Sequence, residues 1–193
     1  MSSDLLTVTD GNRQASFSAA NRAKRALWSV VYALLFRPSP RPMHAWRSML
    51  LRAFGASIGR DCHVYPGVAI WAPWNLDFED LVAIGDGAIL YSMGRIKVGE
   101  RTVISQGAHL CAGTHDYEDP SFQLVVRPIT IGRKAWICAD AFVGPGVTIG
   151  DGAVLGARGV AMKNLPPWSV WSGNPAVCIK QRSVQDEPSA EPR

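Results

Sequence analysis

The stretch Ile131–Gly156 reads IGRKAW ICADAF VGPGVT IGDGAV LG when broken every six residues, and that break decides the fold. A large aliphatic opens each unit (Ile131, Ile137, Val143, Ile149, Leu155), and glycine often follows it, at Gly132, Gly144, Gly150 and Gly156. The fifth place is small: Ala135, Ala141, Val147, Ala153. Neither the 3.6-residue period of a helix nor the alternation of a flat sheet imposes this double constraint. A short strand followed by a corner does. The aliphatic points inward, the small residue fits the tapering interior, and glycine eases the turn. Three such units close a triangular coil of about 18 residues, and stacked coils form a parallel β-helix.

Working outward, the same rhythm governs Ile58, Val64 and Ile70, then Ile84 and Leu90, then Val98, Ile104 and Leu110. Gly59, Gly85 and Gly99 hold the second place there. Cys62, Val68, Ala88, Gly94, Thr102, Ala108, Thr114 and, at the far end, Gly159 hold the fifth. The rhythm breaks twice. Between Ile70 and Ile84 the break is small, because Phe78 can serve as a repeat residue. Between Leu110 and Ile131 the chain passes Thr114-His115-Asp116, and Asp116 to Thr130 leave the repeat altogether. An excursion from a repetitive scaffold orders chain without enlarging the core, and such loops usually carry binding or chemistry.

His115 is the last residue before that excursion, at a rigid corner overhung by a mobile segment, which is a place for a general base. His63 and His109 occupy outward sixth positions and read as surface or interface residues; His44 reads as incidental. His109 and His115 lie six residues apart, hence on different sides of a coil, which argues against one metal held in cis. A zinc-dependent β-helix lyase with histidines shared between subunits, and a non-catalytic trimeric scaffold held at the membrane by residues 22–55, are the rival readings. The chain has no G-x-S-x-G elbow and no phosphate-binding GxxxxGK[ST] loop.

Composition narrows the class further. The 193 residues suffice for one domain with a real core, and 18 glycines with 13 prolines exceed what a helical bundle tolerates. The net charge is +4, yet residues 1–60 hold nine Lys/Arg against two acids, while 61–193 hold eleven against fourteen. The body is therefore mildly acidic, which argues against nucleic acid as a partner. Cys62, Cys111, Cys138 and Cys178 follow no CxxC or zinc-ribbon spacing, so a reduced, cytoplasmic chain is expected.

Four zones are expected: a loose N-terminus (1–21), a basic amphipathic helical segment (22–55), the repeat domain (56–182) and a disordered tail (183–193). The second zone reads as two helices separated by the proline-rich 38–42. Its longest apolar run, Ala26 to Phe36, is too short to span a bilayer and lacks the cleavage site of a signal peptide. Trp46, Met49, Leu50, Ala53 and Phe54 recur at helical spacing, flanked by Arg47 and Arg52. Such a helix either lies on the next domain's core or rests on an anionic membrane surface at the inner face of the membrane. At the far end Pro166 and Pro167 are expected to stop the coil; the lysines and Arg182 beside it suit phosphates, although Arg182 reads equally as a solvated polar end.

These residues resemble the hexapeptide-repeat acyltransferases, whose fold is a left-handed parallel β-helix. The nearer resemblance is to the colanic acid biosynthesis acetyltransferases within the maltose and galactoside O-acetyltransferase group. It covers about Asn21 to Arg182 and rests on Leu35–Pro42, Val64-Tyr65-Pro66-Gly67, Ile70-Trp71-Ala72-Pro73-Trp74-Asn75-Leu76, Ile104-Ser105-Gln106-Gly107 and Thr114-His115-Asp116-Tyr117. Ala135-Trp136-Ile137-Cys138-Ala139 through Val147 completes the match. The resemblance implies transfer of acetyl from acetyl-CoA to a sugar hydroxyl, with no metal, at sites between subunits of a homotrimer. It maps the general base onto His115 and the coenzyme groove onto Trp136, Ala139, Ala157, Met162, Lys163 and Lys180. Tyr91 or Ser92, with Asp116, stand nearest to the acceptor-positioning residues. Relatives often carry Thr where Met162 stands and Arg where Val177 and Lys180 stand, and their usual helical N-terminal domain is replaced by the basic hairpin.

Overall fold

A computed structural model describes residues 17–183 of the chain. Most of the N-terminal stretch expected to be loose, and nearly all of the expected tail, lie outside those residues.

The repeat winds into a prism of three parallel sheets. The first is built from the strands Ser57–Ile58, Leu76–Phe78, Ile96–Val98, Ile129–Ile131 and Thr148–Ile149. The second runs through His63–Val64, Ala83–Ile84, Val103–Ile104, Trp136–Ile137, Val154–Leu155 and Ser169–Ser172. The third comprises Ala69–Ile70, Ile89–Tyr91, His109–Cys111, Phe142–Val143 and Val160–Ala161. Register is in phase throughout, so Ile84 sits over Val64, Ile104 over Ile84 and Ile137 over Ile104. The aliphatic that opens each unit is therefore stacked on its counterpart. Those residues are almost completely buried, and each contributes roughly 1.5–3 kcal/mol through burial. Phe78 does fill a repeat position, between Ile58 and Val98.

The glycine of each unit has a different task from the one expected. The left-handed residue of the corner is the fourth: Asp61, Leu81, Arg101, Lys134, Asp140 and Arg158 have φ of 52–61°. The second-place glycine is needed for stacking instead. A Cβ on Gly99 would lie 2.5 Å from the carbonyl carbon of Gly132 in the next coil, so only glycine lets those two corners meet.

The prolines at 166–167 do not stop the coil. Leu165 still donates its N–H to Thr148 and bridges Ile149, and Trp168 donates to Asp151. The prolines occupy a corner where the ladder asks nothing of their nitrogens. A sixth, partial coil follows, and Val177–Gln181 then turns back antiparallel on Ser169–Ser172. Arg182 fastens this end, donating from Nη1 to the carbonyls of Lys134 (3.1 Å) and Gly152 (2.9 Å).

At the other end lie two helices, α1 (Ala19–Val31), prolonged by a π-turn over Tyr32–Phe36, and α2 (His44–Ala53). The carbonyls of Phe78, Ile84 and Leu90 accept from the coil before them, at Gly59, Tyr65 and Trp71, so their counterparts in the first coil, Ile58, Val64 and Ile70, have no preceding coil to serve them. The helices supply the missing donors, one for each side of the prism. Arg52 donates to Ile58 (Nε, 3.0 Å), Arg47 to Val64 (Nε, 2.6 Å) and Trp28 to Ile70 (Nε1, 2.9 Å). A buried carbonyl left without a donor would cost about 1–3 kcal/mol, which accounts for an arginine buried at 0% exposure. Its other nitrogens hold the proline-rich turn through Ser39, Pro40 and Arg41. Of the two readings offered for α2, the structure fits the one that lays it on the next domain's core: both arginines bond to the first coil of the β-helix. The Trp71–Trp74 segment holds α1, with Arg25 over the Trp71 ring at 4.0 Å and Lys24 over Trp74 at 4.2 Å.

Candidate active site

The excursion begins at the corner between the third and first sheets, after Cys111, and returns to the ladder at Ile129. It carries secondary structure of its own. Gly113–His115 pairs antiparallel with Leu124–Val126, closing a hairpin in which His115 faces Leu124. Its tip is a knot of short-range bonds. Asp119 accepts from the N–H (2.8 Å) and the hydroxyl (2.7 Å) of Ser121, and these bonds hold its carboxyl below the usual range. Phe122 donates its N–H to the Asp119 carbonyl (2.8 Å), and Asp116 donates to Gln123 (2.8 Å).

This knot turns Phe122 into the left-handed region, φ 50°, a strained setting for a bulky residue. The consequence falls on His115. The Phe122 carbonyl lies 2.8 Å from His115 Nδ1, and the two rings stack at 4.4 Å with 10° between their planes. A carbonyl can only accept, so Nδ1 is the donor of this bond, and in the neutral imidazole the lone pair then lies on Nε2. The imidazole is exposed and held in one orientation by this contact. Around it a cleft of about 310 Å³ is lined by Thr114, Asp116, Tyr117, Glu118, Val125 and Arg127.

Of the residues singled out from the sequence, this cleft brings together His115 and Asp116. Tyr91 and Ser92 stand elsewhere. Tyr91 lies on the outer face of the third sheet between Trp71 and His109, and burial pushes its phenol up. Ser92 requires correction as an acceptor-binding residue. It is fully buried, and its hydroxyl bonds both the N–H (3.0 Å) and the carbonyl (2.9 Å) of Ala72, so it lies out of a ligand's reach.

The six groove residues divide between elements. Trp136 is half-exposed on the second sheet with its indole N–H spent on Ser105 Oγ at 2.9 Å, so it presents a pinned ring. Ala139 and Ala157 stack at the corner between the second and third sheets, where Arg158 donates its N–H to the Ala139 carbonyl (2.9 Å). Lys180 faces solvent on the last strand, opposite Val170. Exposed Met162 and Lys163 lie instead at the corner from which the hairpin departs, two coils further along. Between them and the hairpin run Gly144 and Gly146: a Cβ on the first would meet Met162, and one on the second would meet Arg127.

Arg127, Glu118 and the Phe122 carbonyl were not anticipated from the sequence. Their places depend on how the hairpin returns, and no spacing announces that. Among the described residues no group of three or more His, Cys, Asp or Glu is arranged to hold a metal ion. His109 rests against Phe142 (5.2 Å), and burial pulls its imidazole down.

No protein-family model matches the chain. Among curated proteins, it is 46% identical over 166 residues to the colanic acid biosynthesis acetyltransferase WcaF of Escherichia coli K12, spanning 86% of this chain and 91% of that one. Among solved structures it resembles a maltose O-acetyltransferase of Clostridium difficile, with TM-score 0.79, 23% identity, and 86% and 90% of the two chains covered. A hexapeptide-repeat acetyltransferase of Vibrio cholerae, solved with acetyl coenzyme A, superposes with TM-score 0.79 at 21% identity over 90% and 95%. At these identities the two structures speak for the fold alone.

Proposed function

The chain belongs to the hexapeptide-repeat acetyltransferases of the colanic acid type, and on that premise we propose that it moves acetyl from acetyl-CoA to a hydroxyl of an exopolysaccharide sugar, with His115 as general base. The observation that carries this reading is the contact of His115 Nδ1 with the Phe122 carbonyl, which leaves Nε2 facing outward. With Nδ1–H donated to the Phe122 carbonyl, Nε2 takes the acceptor hydroxyl proton as the sugar oxygen attacks the thioester carbonyl carbon. The tetrahedral adduct collapses by breaking the C–S bond, and the departing thiolate takes the proton, leaving coenzyme A thiol and an acetyl ester. Asp116, Glu118 and Arg127 around the cleft supply the acceptors and donor that a polyhydroxylated acceptor requires.

Acetyl-CoA is read as lying along Trp136, Ala139, Ala157, Met162, Lys163 and Lys180, the pinned indole against the pantetheine arm and the lysines toward the phosphates. That a relative of like fold binds acetyl-CoA supports this. The wide separation of those residues favours a site shared between subunits: Ala139 and Ala157 occupy one edge of the prism and the His115 hairpin another. A homotrimer, edge against edge, completes the site. The basic front segment is read as a contact with the membrane surface, where a lipid-linked acceptor would be found.

His115→Ala tests the assignment. Acetyl-CoA-dependent transfer should fall by about 10²–10⁴-fold, with thermal unfolding and oligomer mass unchanged. Normal turnover by that variant removes His115 from the mechanism.

A further inference from the structure

Helix α1 has two apolar faces, and the β-helix uses only one. Asn21, Trp28 and Phe36 are buried, Trp28 at 2% exposure, and the π-turn over Tyr32–Phe36 brings Phe36 onto the same side as Trp28. On the opposite side Ala23, Ala26, Leu27, Val30, Ala33 and Leu34 form a continuous stripe of solvent-exposed apolar residues, Leu34 at 68%. A stripe of this kind, left uncovered by the described residues, marks an interaction surface.

Charge says what covers it. Residues 17–60 contain eight Lys/Arg and no Asp or Glu. Arg47 and Arg52 are spent on the first coil, and Lys24 and Arg25 lie over tryptophan rings. Arg41 lies over the Tyr65 ring and Arg60 pairs with Asp80, which leaves Arg22 and Arg37, both exposed, at the two ends of the stripe. A second copy meeting the same face would bring the same positive sign to it, whereas an anionic bilayer brings the opposite sign together with hydrocarbon. No described helix is long and apolar enough to cross a membrane. The arrangement is that of a helix lying in the interface, its apolar face about 5–10 Å into the headgroup boundary.

We propose that the outward stripe of α1, flanked by Arg22 and Arg37, is the surface by which this protein rests on anionic lipid. The proposal deepens the membrane-surface reading above and moves it from α2, whose arginines are buried or bonded inward, to α1. It is independent of the chemistry at His115.

The test is flotation of the full-length protein with phosphatidylcholine vesicles, with and without phosphatidylglycerol. Wild type should partition to the anionic vesicles at least tenfold more strongly, and Leu27→Asp with Leu34→Asp should abolish this. Arg22→Gln with Arg37→Gln should weaken it by about thirtyfold and remove much of its salt dependence. Both variants should keep wild-type transfer from acetyl-CoA to a small dissolved acceptor. That readout keeps failure of the membrane surface separate from failure of the transferase reading. Three results overturn the proposal: wild type fails to float, the leucine variant floats as wild type does, or the leucine variant loses oligomer mass in sedimentation, which assigns the stripe to a second copy.

Discussion

The coils from Ile131 to Ala161 and the hairpin from Gly113 to Val126 are built on opposite terms. In the coils each residue's place is dictated by the residue stacked above and below it, and the backbone bonds run from coil to coil. In the hairpin the bonds are local, Asp116 to Gln123 and Asp119 to Ser121, and the aromatic and charged side chains point outward, Tyr117 at 83% exposure. The prism is thus a scaffold that repetition makes rigid. The hairpin is the one long departure from it, and there the strain of Phe122 is used to lock a histidine. Stability and chemistry are held by different parts of the chain, and that division can be attacked from either side.

The largest effect should come from the prism. Ile104 is fully buried, with Ile84 on one side and Ile137 on the other, so Ile104→Ala leaves a cavity in the aliphatic column. We expect a loss of about 2–5 kcal/mol, read by denaturant unfolding. Transfer per folded molecule should stay near wild type. A large drop in turnover of the fully folded variant would show that the column and the site are coupled.

How much of this was legible in the sequence follows the same division. The hexad announces itself because burial fixes position one and a narrow corner fixes position five, so Ile84 or Ala108 can be placed from spacing alone. Position two misleads, because a glycine looks the same whether it turns the chain or makes room for the next coil, as Gly99 does. Arg47 was unreadable for a related reason. Its burial is repaid by the Val64 carbonyl and by the Pro40–Arg41 turn, partners that exist only once the first coil needs an edge donor. His115 was legible as the residue at the break. Its orientation was not, since that depends on the backbone of Phe122, seven residues on, held in a conformation no pattern signals. Ser92 failed as a site residue because the corner after the third sheet folds back on Ala72.

A smaller effect separates the ring of Phe122 from its carbonyl. Phe122→Ala removes the stacking partner of His115 and leaves the main-chain acceptor in place. An aromatic pair of this kind is worth about 0.5–1.5 kcal/mol, so kcat should fall between about twofold and tenfold, and the unfolding free energy by no more than that same about 0.5–1.5 kcal/mol. If the variant matched His115→Ala in its defect, the ring rather than the carbonyl would be what holds the imidazole.

The smallest effect is a pH dependence confined to the hairpin tip. Ser121 holds the Asp119 carboxyl below its ordinary value through its hydroxyl and its N–H. A carboxylate whose folded value is depressed stabilises the ordered tip fully above the ordinary aspartate value, about 3.9, and that contribution is lost as pH falls through the lower folded value. Amide protection of Ser121 and Phe122 should therefore weaken by a few-fold below about pH 4, while amides of the coils, such as Ile137, keep theirs. Asp119→Asn retains an oxygen acceptor without the charge, so its tip should be looser than wild type at neutral pH and flat across the acid range. Equal acid sensitivity at Phe122 and Ile137 would mean that the tip opens only when the prism does, and the division between scaffold and site would then be one of position and not of stability.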